Sequence, residues 1–78
     1  MKMENNKNDV CMIEAVVTNE QAEEIFRTFC EEPKALDPQM SSKDDSHSAI
    51  VAGFASPRKR QYVVGKLEKA FPGMISWR

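Results

Sequence analysis

The chain has 78 residues, of which 41% are hydrophobic and 29% charged, with a net charge of −1; this is one domain with enough apolar content for a core and too much for full disorder. A chain of this size buries only about 60% of its unfolded surface, which argues against a deep catalytic cleft and favours help from a partner or from self-association. No apolar run approaches the ~18 residues that span a bilayer, and two cysteines are too few for a disulfide-stapled secreted scaffold, so the expectation is a cytoplasmic protein with no membrane contact.

Met1 to Asp9 is polar and Asn-rich, lacks the apolar stretch of a signal peptide, and reads as a disordered leader (1–9) before a single domain (10–78). Val10 to Thr18 is rich in β-branched residues and alternates Cys11, Ile13, Ala15 and Val17 on one face, which predicts a strand. Thr18 and Gln21 have the spacing of a capping box, Glu20, Glu23 and Glu24 suit a helix start, and Ala22, Ile25, Phe26, Phe29 and Cys30 recur at helical spacing until Pro33 ends the run. In Pro33 to Ser48, Asp37-Pro38 reads as a turn and Ser41 to Asp45 as a polar loop, leaving at most a short edge strand near Gln39 to Ser41. Ala49 to Ala55 is a nearly continuous apolar run, the pattern of a central strand covered on both faces. Ser56 is placed to cap a second helix with Pro57 at its first position, and Val63, Val64, Leu67, Ala70 and Phe71 form its apolar stripe. Pro72-Gly73 ends that helix before a last strand, Met74 to Trp77.

The order β, α, weak β, β, α, β predicts an α+β fold. It resembles the two-layer ferredoxin-like sandwich, with two helices on one face of an antiparallel sheet of three to four strands. The first strand and Ala49 to Ala55 would lie in the middle. Element order carries no functional motif and implies no activity.

Charge is divided unevenly along the chain. Residues 1–55 hold five Lys/Arg and eleven Asp/Glu, a net of −6, while residues 56–78 hold six Lys/Arg and only Glu68, a net of +5. Arg58, Lys59 and Arg60 at the start of the second helix oppose the positive end of its dipole and favour an anionic neighbour. Glu31 and Glu32 at the end of the first helix are expected to approach them, with Lys66, Lys69 and Arg78 beyond reach of those carboxylates. Arg58, Lys59, Arg60, Tyr62, Lys66 and Lys69 then form a candidate stripe for nucleic acid or phosphate, with Tyr62 as a stacking side chain. Gly53 to Pro57 lacks the lysine and spacing of a phosphate-binding loop. In shape the expected fold is also similar to RNA-recognition motifs, but the positions that would carry their stacking aromatics are Met12, Glu14, Val16, Ala49, Val51 and Gly53.

A second candidate surface follows from the strand phase. With Ile13, Ala15, Val17, Ile50, Ala52 and Phe54 facing the helices, Val10, Met12, Val16, Ala49, Val51 and Met74 line the opposite face, which a two-layer domain leaves bare. Such a patch marks a protein contact, either a homodimer or a heterologous partner, unless the leader or the Pro33 to Ser48 segment covers it. Trp77, in phase with Ile75, is expected to cap the core beneath the helices; alternatively it joins Arg78 as an exposed anchor in the partner-binding set.

Cys11 and Cys30 are both expected to point inward as free thiols, since helix and sheet layers about 10 Å apart exceed the reach of a disulfide. With only His47 as a third soft ligand they do not form a zinc motif. Asp44, Ser46 and His47 are adjacent in sequence, which is not the geometry of a nucleophilic triad, and Asp37, Asp44 and Asp45 lack the spacing of a calcium loop. The sequence therefore predicts no catalytic residue, no cofactor and no metal. Its reading is a small non-enzymatic interaction or regulatory module, of the size of a phage or mobile-element inhibitor, that binds a protein partner or itself; the alternative is a nucleic-acid or phosphate binder using the second helix.

Overall fold

In the computed structural model of this chain, residues 11–78 are described; Val10 and the expected leader lie outside the described residues. The alternating apolar residues of Cys11–Thr18 form strand β1, and the chain turns at once into helix α1, Asn19–Glu31. Strand β2, Leu36–Ser42, and strand β3, His47–Phe54, make a hairpin, followed by helix α2, Pro57–Ala70, and the two-residue strand β4, Ser76–Trp77. The architecture is α+β, a four-stranded open sheet of order β2-β3-β1-β4 with two helices, and every strand pairing is antiparallel. The two apolar strands take the centre, joined over eight residue pairs from Cys11 with Phe54 to Thr18 with His47.

The expected strand phase holds. Ile13, Ala15 and Val17 of β1 and Ile50, Ala52 and Phe54 of β3 share one buried cluster with Ala22, Ile25 and Phe29 of α1 and Val63 and Leu67 of α2. Phe71 and Ile75 close its lower end. Phe29, Ile25, Ile50 and Phe54 are fully buried, and each side chain removed from water to this extent contributes about 1.5–3 kcal/mol. Ser56 caps α2 as expected, accepting a hydrogen bond from the Lys59 N–H at 3.2 Å with Pro57 in the first turn. Gly73, at φ 72°, supplies the left-handed residue that turns the chain after α2.

Several local expectations are corrected. The Thr18 side chain makes no cap on α1. Instead Asn19 anchors the helix start to the β2–β3 hairpin: its backbone N–H donates to the Ser46 carbonyl at 2.8 Å, its Nδ2 to the Asp45 carbonyl at 2.9 Å, and its Oδ1 accepts from the Ser48 hydroxyl at 2.7 Å. The short edge strand expected near Gln39 to Ser41 runs to seven residues and takes in the expected Asp37-Pro38 turn, while Lys43 to Asp45 stay outside it as a loop. It lacks β-branched residues and is nearly all exposed, so pairing with β3, not propensity, makes it a strand. A register shift between Leu36 and Gln39 accommodates Asp37-Pro38 as a bulge, with Asp37 at φ 49° and its Oδ1 accepting from Gln39 Nε2 at 3.0 Å. Ala70 is exposed on α2.

Cys30 is exposed too, not inward, while Cys11 is half-buried against the core. The buried stripe of α1 runs through Ala22, Ile25 and Phe29, and Cys30 lies about 100° further round the helix. The stripe continues instead to Glu32, which is 6% exposed at the helix C-cap. Among the described residues no helix is long and apolar enough to cross a membrane.

Candidate functional site

The register assigns the sheet face opposite the helices. Met12, Glu14, Val16 and Thr18 of β1 stand beside Gly53, Val51, Ala49 and His47 of β3, and Gln39 and Ser41 of β2 continue the rows. Met12 is 57% and Met74 45% exposed, Val51 is half-buried, and Val16 and Ala49 are buried. An ion pair that the sequence did not show spans this part of the face. Lys43, at the end of β2, reaches Glu14 with Nζ 3.9 Å from Oε2. The row of Val16, Ala49 and Ser41 lies between them, where the aliphatic stem of a lysine can shield small residues.

Arg78 joins the same group. Its backbone N–H donates to the Glu14 carbonyl at 2.8 Å, which extends the β4 pairing by one residue. It lines two shallow depressions, one with Met12, Glu14 and Val51, the other with Val16, Lys43 and Met74. The face is therefore apolar at Met12, Val51 and Met74 and ionic along Glu14, Lys43 and Arg78. Glu14 was legible as a member of this face from its alternation with Met12 and Val16. Lys43 was not, because its placement depends on β2. Trp77 belongs to the other side of the sheet: its ring meets Phe29 edge-on at 6.4 Å and 62°, and its Nε1 donates to the Glu68 carboxylate.

The basic residues of α2 do not form the expected cluster with the end of α1. Arg58 and Lys59 are exposed and Arg60 half-buried, and none of the three has an ion pair among the described residues. The carboxylate of Glu32 instead accepts from Lys66 Nζ at 2.8 Å and from the Lys34 backbone N–H at 3.1 Å. The expectation that Lys66 lies out of reach is thus overturned. Lys66 is seven residues beyond Lys59, about 10 Å further along the helix, so α2 begins well past the end of α1. The Lys66 hydrogen bond holds the Glu32 carboxyl below its ordinary value despite burial, with help from the Lys34 N–H, and Glu32 in turn raises Lys66. Tyr62 is 54% exposed, with Lys34 Nζ 4.7 Å from its ring centroid. Tyr62, Lys66 and Lys69 line a shallow depression on this side.

At the hairpin tip, Asp44 Oδ1 accepts from the backbone N–H groups of Ser46 and His47, both at 2.8 Å, and lies 3.1 Å from His47 Nδ1. These contacts, the Ser46 N–H foremost, lower the Asp44 carboxyl. The aspartate is thus occupied in closing a turn. Cys11 and Cys30 are free thiols, and among the described residues no group of three or more His, Cys, Asp or Glu is placed to hold a metal ion. Compared with known proteins, the chain matches no family model, no curated protein and no solved structure.

Proposed function

We propose that this chain is a non-enzymatic, cytoplasmic interaction module with a ferredoxin-like two-layer fold, and that it binds protein through the open face of its sheet. The order of elements and the sheet order β2-β3-β1-β4 support the fold assignment. One observation carries the functional reading: Met12 and Met74 stand exposed on the sheet face that no helix covers among the described residues, beside the apolar run Ala49 to Phe54 of the central strand β3. Large exposed apolar side chains on one face are what a protein partner covers.

The test is affinity capture from native lysate with the wild-type chain and with Val51→Asp and Met12→Asp, with and without nuclease. The reading expects a stoichiometric protein that survives nuclease and is lost with both variants, while their far-UV circular dichroism stays native. Retention of that protein by both folded variants would refute it. A second reading, binding of nucleic acid or phosphate by Arg58, Lys59, Arg60, Tyr62, Lys66 and Lys69, draws on the exposure of Arg58, Lys59 and Tyr62. It is weakened by the engagement of Lys66 with Glu32. Nuclease-sensitive recovery, with a salt slope that flattens in Arg58→Ala/Arg60→Ala, would favour this reading over the sheet face.

A further inference from the structure

The open sheet face has a property that an apolar patch alone would not have: its charges are balanced and interleaved. Glu14 sits at mid-strand between Met12 and Val16, flanked by Lys43 at 3.9 Å and by Arg78, which is aligned beside it through the backbone. Asp44 lines the same surface near Lys43 and His47. Two carboxylates and two long cations thus share one face. Resting on the reading that this face binds protein, we infer that its partner is a second copy of this chain, the two open faces stacked about a two-fold axis so that Glu14 of each copy meets Lys43 and Arg78 of the other.

Three observations lead there. First, a two-fold contact is isologous, so it needs a surface that complements itself. A carboxylate and a cation set on opposite sides of the axis do so, as Glu14 on β1 and Lys43 beyond the end of β2 can, whereas a uniformly charged face would repel its copy. The net charge of −1 adds almost no long-range repulsion between copies. Second, beyond His47 and Ser48 at its start, β3 runs Ala49, Ile50, Val51, Ala52, Gly53 and Phe54 with no polar residue, whereas a strand solvated along one whole face alternates throughout. Burial of both faces is what its composition fits, and the helices cover only one.

Third, the area is sufficient for a weak dimer. Strands of eight, seven and eight residues with a short fourth present about 400 Å² in projection, and more once protruding side chains are counted. Two copies therefore reach about 1,000 Å², the lower limit of specific interfaces and the size class of weak, transient contacts. The intramolecular Lys43–Glu14 pair, long and half-exposed in one copy, is then exchanged for shorter pairs between copies.

Reciprocal charge reversal on the purified full chain tests this. Sedimentation velocity from about 10 μM to about 1 mM, a range that covers weak association, should show the wild type passing from monomer to dimer. Glu14→Lys alone and Lys43→Glu/Arg78→Glu alone should each weaken the dimer by about tenfold or more. An equimolar mixture of the two should restore association, because every contact is then between opposite charges. Met12→Lys, at an exposed position that leaves the core untouched, should weaken it as well. A wild type that stays monomeric to about 1 mM overturns the inference, as do variants that dimerise like wild type or a mixture that does not recover. If the wild type is monomeric and Val51→Asp still loses a captured heterologous protein, the second-copy inference fails while the protein-binding reading stands. If neither association nor capture responds, both fall.

Discussion

Replacing Glu32 by Ala should cost this domain more than any other surface-charge change. The Glu32 side chain is 5% exposed and accepts two hydrogen bonds, from the exposed Lys66 ammonium and from the Lys34 N–H in the turn that leads into β2. Hydrogen bonds to a charged group contribute about 1.5–3 kcal/mol. Lys66 is half in water and rehydrates when released, so its share falls at the low end, and the freed Lys34 N–H is only partly buried. A total of about 2 kcal/mol follows, which in a domain of this length lowers the melting temperature by about 8–16 °C. The pH dependence has a definite sign. The folded-state carboxyl lies below its ordinary value of 4.5, so its contribution is complete above that pH and is lost as pH falls through the lower folded value. Wild type should therefore lose stability below about pH 4.5 more steeply than Glu32→Gln, and the two curves should converge in acid. Urea and thermal melts followed by the single tryptophan, Trp77, which packs against Phe29, measure both effects. A Glu32→Ala variant within about 0.5 kcal/mol of wild type at neutral pH, the scatter of ordinary surface substitutions, would refute the assignment of Glu32 as a structural lock.

Two further outcomes follow from local geometry. Gly65 lies within α2 at an exposed position where an added Cβ meets nothing within 4 Å, so Gly65→Ala should stabilise by about 0.5–1 kcal/mol through helix propensity; an unchanged or lower melting temperature would contradict this. Cys30 is exposed and Cys11 packs against the core, so native protein titrated with an aromatic disulfide reagent should show one fast thiol and one at least about tenfold slower. Equal rates would place the two cysteines in similar surroundings, against the structure.

What could be read from the residues was whatever depends on a period. Ile13, Ala15 and Val17 alternate because only one side of β1 meets helices, and Ile50, Ala52 and Phe54 of the continuous apolar run β3 take the same side through its register with β1. The start of α2 was equally legible, since Ser56 and Pro57 act within one turn. The features that escaped depend on distant partners. β2 reaches seven residues because β3 offers it a ladder, where its own residues argue for no more than a short edge strand near Gln39 to Ser41. Glu32 looks like a solvated helix end until α2 is seen to bring Lys66 beside it. Thr18 has the sequence of a cap, yet it is Asn19 that joins the hairpin tip. On the open face, Met12, Val51 and Met74 followed from phase, whereas the Lys43–Glu14 ion pair required the hairpin to bring the two residues together.

The Asp37-Pro38 bulge bears on how this sheet meets its surroundings. On the outer strand β2, Pro38 offers no N–H and the register shift interrupts the row of backbone groups; at the other margin β4 is only two residues long. Neither margin gives an incoming strand a long uninterrupted ladder to copy, which is how natural sheets resist sideways growth into fibrils. Association by lengthening the sheet is thereby discouraged, and stacking face against face is left as the route by which these strands can gain neighbours without templating aggregation.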